Sequence, residues 1–159
     1  MNKKKKSLLY WIFIIYLIFY IITTFIVGVV LSFPIPSFDY LFFQSVVFIL
    51  GNLLLCIYLI NTLLSLYKSK PNAIDLSINS LMLLLLMFFV SIFIFKKFTI
   101  EMNEALVFNS IIQFAYFYYF YNSKYIKENY PIKDRKIEKI HKILFWIILV
   151  IILLRVFLS

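Results

Sequence analysis

The side chains that could do chemistry in this 159-residue chain are few and mild. Within long apolar runs lie Gln44, Asn52, Cys56, Asn61, Thr62 and Ser65, then Asp75, Ser77, Asn79 and Ser80, then Asn109, Ser110 and Gln113. Amides and hydroxyls in an apolar setting bond across helices or line a wet path for a small solute. They do not supply a nucleophile with its base, or the paired acid and base of a hydrolase. No G-x-S-x-G, H-E-x-x-H or phosphate-binding loop is present. The one cysteine, Cys56, reads as a small buried apolar residue. The one histidine, His141, sits among Lys139, Lys142 and Glu138 and reads as a solvated interfacial residue. One Cys and one His give no disulfide framework and little for a Cys/His metal site, so no cofactor is expected.

The elements that must position these residues follow from composition. Hydrophobic residues make up 64% of the chain, aromatic residues 21% and charged residues only 14%, against roughly a quarter charged in soluble domains. The mean hydropathy is +0.98. These values predict an all-α polytopic membrane bundle. Apolar runs at 8–32, 40–66, 73–95, 104–121 and 143–158 predict five transmembrane helices, four plus one weaker C-terminal span. Pro34, Pro36 and Pro71 break the chain between runs. The first run is too long for a cleaved signal peptide and reads as an uncleaved anchor. The expected organisation is a four-helix transmembrane unit over 1–130, then a basic amphipathic segment and the fifth helix over 131–159.

Depth arithmetic suggests which amides meet. Asn61 and Asn79 each fall about 8–9 Å from the same membrane face, and Asn52 and Asn109 each roughly 20 Å. Asn52, Asn61, Asn79, Asn109 and Gln113 are therefore the candidate interhelical polar contacts, with a solute pathway as the functional alternative. Asp75 near the start of the third run complements a helix N-terminus. Trp11 and Trp146 suit the interfacial belt, as does the tyrosine-rich stretch before Asn122.

Sixteen basic residues against seven acidic give a net charge of +9. They flank the apolar runs without a nucleic-acid-binding motif, so lipid headgroups rather than nucleic acid are the expected counter-charge. With the N-terminus inside, all the basic residues except Lys96, Lys97 and Arg155 fall on the inner side. The segment carrying Lys124, Lys127, Lys133, Arg135, Lys136, Lys139 and Lys142 is the expected contact with anionic headgroups. A surface helix over 131–142 and a solvated loop remain equal alternatives there.

The text from Asn109 to Tyr130 ends a helix with Tyr119-Phe120, then Ser123, Lys124 and Lys127. It resembles the last helix of a family of small four-pass bacterial inner-membrane proteins, the domain of unknown function 2569 family. Gly51-Asn52-Leu53-Leu54-Leu55, followed by a Lys- and Pro-containing turn, is similar to the family's second helix and loop. The family's Gly-Gly-Trp-Leu before the first helix is absent, and the fifth run is extra. The resemblance implies a multi-pass protein of the bacterial inner membrane and supplies no catalytic residues.

The expected function is non-enzymatic: an accessory, interaction or immunity-type membrane protein that packs against lipid, another membrane protein or a second copy. The alternative is a small transporter or channel component built on the intramembrane amides.

Overall fold

The computed structural model describes residues 7–28, 40–95, 100–130 and 139–158. These form six helices: α1 (Leu8–Gly28), α2 (Tyr40–Tyr67), α3 (Ala73–Phe95), α4 (Ile100–Asn122), α5 (Lys124–Asn129) and α6 (Lys139–Leu158), with no strand among the described residues. The expected turn at 33–39, the 96–99 part of the turn expected at 96–101, and the 131–138 part of the expected surface helix lie outside the described residues. So do Lys133, Arg135 and Lys136. Ile100 and Glu101, expected in the turn at 96–101, open α4 instead. The last residues of the expected surface helix, 139–142, form the first turn of α6.

Local chemistry sets the visible boundaries. Ser7 caps α1: its Oγ accepts the Tyr10 N–H at 3.3 Å and its carbonyl accepts the same N–H at 3.1 Å. Helix α2 closes in a Schellman motif. The Lys70 N–H donates to the Ser65 carbonyl at 2.9 Å and the Ser69 N–H to the Leu66 carbonyl at 3.0 Å. Ser69 takes the left-handed position, with φ of 53°, that glycine usually fills. Pro71 follows, where the helix cannot continue. Ser123, extended at φ −62° and ψ 125°, separates α4 from the short α5.

Helix α2 packs on α1, α3 and α6; α3 also packs on α4 and α6, and α4 on α5. Aromatic rings join α1 to α4: Phe13 stands 4.8 Å from both Tyr116 and Phe120, centroid to centroid. Helices α1 to α4 thus close a ring, and α6 lies against α2 and α3, with Ile148 and Ile152 buried. The C-terminal helix is a packed member of the bundle rather than an appendage to it. At Gly51 a Cβ would meet Ile151 Cγ2 at 2.8 Å, so the α2–α6 approach depends on the missing side chain.

By length and composition two of the helices can cross a membrane, within Leu8–Ile26 and Ser45–Tyr67, and Ala73–Met87 is a shorter apolar helix. The bundle's exterior is as apolar as its core, and a few polar residues lie inside. Asn52, Thr62, Ser65, Ser77, Ser80, Asn109 and Gln113 are buried, whereas Ile15, Phe19, Phe108, Ile111, Phe114 and Trp146 face outward.

Candidate functional site

Two positions one helical turn apart on α1, Tyr16 and Tyr20, face two similarly spaced positions on α4, Asn109 and Gln113. The i, i+4 spacing puts each pair on one face of its helix. The Tyr20 hydroxyl donates to Asn109 Oδ1 at 2.5 Å, and the Tyr16 hydroxyl donates to the same oxygen at 3.3 Å. Tilted ring contacts brace them: Tyr16 lies 4.7 Å from Tyr20 and 5.5 Å from Tyr116. Gln113, fully buried, reaches the Tyr16 hydroxyl region. Among the described residues neither its Nε2 nor its Oε1 has a hydrogen-bond partner of good geometry, and the same holds for Asn109 Nδ2 and Ser110 Oγ. A buried amide without partners is destabilising by about 1–3 kcal/mol per group. The cluster presents neutral donors and acceptors, a chemistry suited to water or a small uncharged polar solute.

The other candidate amides take different partners. Asn52 donates to the Phe48 carbonyl of its own helix at 2.8 Å, and no hydrogen bond joins it to Asn109. That corrects the depth-based pairing: equal depth does not place two residues on facing sides of their helices. Asn79 lies beside the Tyr58 hydroxyl across α2 and α3, without a hydrogen bond of good geometry. Asn61 lines a groove between α2 and α6. The polar tie between α2 and α3 is instead Thr62 Oγ1 with Ser80 Oγ at 2.9 Å. Cys56 is buried, its thiol 3.7 Å from the Ile21 carbonyl of α1.

A second polar cluster holds one end of the bundle. The Tyr10 hydroxyl donates to the Leu66 carbonyl at 2.5 Å and lies 3.2 Å from the Tyr130 hydroxyl. Ser7 Oγ hydrogen-bonds the Tyr119 hydroxyl. The Tyr125 ring meets Tyr10 edge-on at 5.8 Å. Burial, reinforced by neighbouring Tyr130 and Tyr119, pushes the Tyr125 phenol up to about 12. Of the basic candidates, Lys124 sits 4.0 Å from Glu128 in an exposed pair, worth little in energy. Lys127, Lys139 and Lys142 are exposed.

The groove between α2 and α6, about 610 Å³, has Lys68 and Lys70 at its rim and aliphatic residues along its length. No group of three or more His, Cys, Asp or Glu side chains able to hold a metal is found among the described residues.

Sequence reasoning singled out Asn109 and Gln113 but not Tyr16 and Tyr20. The signal was available: two tyrosines one turn apart, about 12–18 Å into an otherwise apolar stretch of helix, lie too deep for the interfacial belt. In comparisons with known proteins no family model, no curated protein and no solved structure matches the chain.

Proposed function

We propose that the chain is a polytopic membrane protein without catalytic chemistry, of accessory, interaction or immunity type, seated in a bacterial inner membrane with its N-terminus cytoplasmic. In this reading α1 to α4 and α6 each cross the bilayer, and α5 lies at the inner face. One observation carries it: large apolar side chains cover the outside of every long helix, while the interior, itself largely apolar, also buries amides and hydroxyls. Such an exterior is insoluble in water and matched to lipid. The charge distribution supports the orientation, and the resemblance to the four-pass family supports the location. The role is to hold a rigid helical surface against lipid or a partner membrane protein.

Alkaline carbonate extraction and cysteine labelling test the reading. In a Cys56→Ala background, Ser69→Cys should react with a membrane-impermeant maleimide only after cells are opened. Labelling of intact cells refutes the orientation. Release of the chain by carbonate refutes membrane integration.

The amide groups left over in this cluster, Asn109 Nδ2 and both ends of Gln113, support a second reading, a transporter or channel component with Asn109 and Gln113 on the solute path. The two separate on Gln113→Leu. A structural amide changes stability modestly, whereas a path-lining amide abolishes transport at unchanged stability.

A further inference from the structure

The groove between α2 and α6 has no part in the tyrosine–amide cluster, and its construction matches one class of molecule. The two helices run antiparallel along it: Gly51 meets Ile151, and the Tyr58 ring lies 6.5 Å from that of Phe145. Its lining changes character in one direction. Lys68 and Lys70, both exposed, form the rim. Ser65 and Asn61 follow at one and two turns of depth. Ile140 and His141 of α6 line the side toward the rim, and Ile57, Leu144 and Ile147 the deep end. Among the described residues no carboxylate lines it.

The dimensions agree with a lipid leaflet. Lys68 to Ile57 is eleven residues along α2, or about 16 Å at 1.5 Å per residue. Half the hydrocarbon core is about 15 Å. A phosphate at the lysine rim therefore places glycerol esters beside Ser65 and Asn61, and an acyl chain against the aliphatic walls to mid-bilayer.

We propose that this groove binds one anionic phospholipid, its phosphate held by Lys68 and Lys70 and one acyl chain lying between α2 and α6. The inference rests on the membrane reading above and adds a defined ligand site to it. Charge complementarity selects the occupant. Two ammonium groups, with no carboxylate among the described lining residues, favour an anionic headgroup over a zwitterionic one, and the apolar depth requires a chain that a soluble phosphate lacks. The site also explains why Asn61 faces a groove instead of another helix.

Native mass spectrometry of the full chain in mild detergent tests this, with phosphatidylglycerol and phosphatidylcholine of identical chains as probes. The wild type should retain phosphatidylglycerol more tightly. Lys68→Gln with Lys70→Gln should weaken phosphatidylglycerol about 30-fold, from about fivefold per basic contact, and leave phosphatidylcholine unchanged. Ile57→Trp, which fills the deep end, should weaken both lipids. Lys124→Gln with Lys127→Gln, outside the groove, removes the same charge from the headgroup-facing segment and should weaken phosphatidylglycerol far less than the groove pair does.

Equal loss in the two lysine pairs overturns the site, because the lysines then act only as a general surface field. Full competition by soluble glycerol phosphate overturns the acyl-chain half of the proposal. A dimer that forms in place of the lipid adduct and is abolished by Ile57→Trp shows that a second copy fills the groove, and overturns it too. Circular dichroism and carbonate extraction of each variant separate these results from a failure of the membrane reading. Carbonate-resistant chains without lipid preference refute the groove alone, whereas chains released by carbonate refute the reading beneath it.

Discussion

Replacing Gly51 by alanine probes the tightest helix contact in the bundle. The added Cβ would stand 2.8 Å from Ile151 Cγ2, whereas carbon atoms rest at about 3.5–4.0 Å. The shortfall is therefore about 0.7–1.2 Å. Ile151 is β-branched, and a helix leaves it essentially one χ1 rotamer, so the methyl cannot swing aside. Relief requires α6 to move away from α2, which disturbs Ile148 and Ile152, both buried. Overpacking of this size is destabilising by about 1–3 kcal/mol. The gain in helix propensity from Gly to Ala opposes it by up to about 1 kcal/mol. The expected net loss for Gly51→Ala is about 1–2 kcal/mol. Ile151→Ala should remove the clash, so the double variant should be more stable than the two single losses predict, by about 1–2 kcal/mol of coupling. Reversible unfolding in mixed micelles, followed by circular dichroism for all four corners of the cycle, measures this. A Gly51→Ala variant that is stabilised, with an effect independent of residue 151, would refute the close approach of α6 to α2.

Other expectations follow from single features. Ser69→Gly should stabilise the chain by about 1 kcal/mol, since glycine takes the left-handed position without the side-chain penalty; an unchanged thermal midpoint would count against the Schellman geometry. Tyr10→Phe removes the bond to the Leu66 carbonyl and should cost about 1 kcal/mol in the same unfolding assay. Asn109→Leu and Tyr20→Phe should be non-additive, coupled by about 0.6 and at most ~2 kcal/mol; strict additivity rules out their contact. The Tyr125 phenol should ionise at about 12 rather than near its ordinary 10.0. Because the folded form holds this proton more tightly than the unfolded form, its contribution to stability is full below pH 10 and is lost between pH 10 and about 12. Ultraviolet difference titration of wild type against Tyr125→Phe resolves that group, and a phenol titrating near 10 would refute its burial.

The limits of two helices were legible because they depend on local properties. The run at 73–95 matches α3 at both ends, and the run at 40–66 misses α2 by one residue. Apolar content and proline fix such boundaries without tertiary information. Helices α4 and α6 instead each begin four residues before the runs at 104–121 and 143–158, where charged residues continue the helix and hydropathy does not mark it. Which side of each helix faces inward was not legible. Helix α1 buries Tyr10, Phe13, Ile14 and Leu17, yet Leu8, Ile12, Ile15 and Phe19 on its outer side are as apolar. A helix that is hydrophobic all round carries no stripe to read. That is why Asn109 was recognised as a contact while Asn52 was assigned as its partner, in place of Tyr16 and Tyr20. Helix α5 was missed for a different reason. Six residues of mixed polarity have no period, and Ile126 is buried only because Tyr130 and Tyr125 bring the segment back to the bundle.

The bond between Tyr10 and Tyr130 links residues 120 apart in sequence, and that separation has a meaning in time. A ribosome adds about 5–20 residues per second, so Tyr130 is made roughly 6–24 s after Tyr10. The Leu66 carbonyl becomes available within that interval and Tyr130 only at its end. The first helix therefore spends most of synthesis with its terminal tyrosine half engaged. The end of the bundle can lock only after α4 and α5 have been translated, so the clamp acts as a late checkpoint on assembly, open to any partner that reaches α1 first.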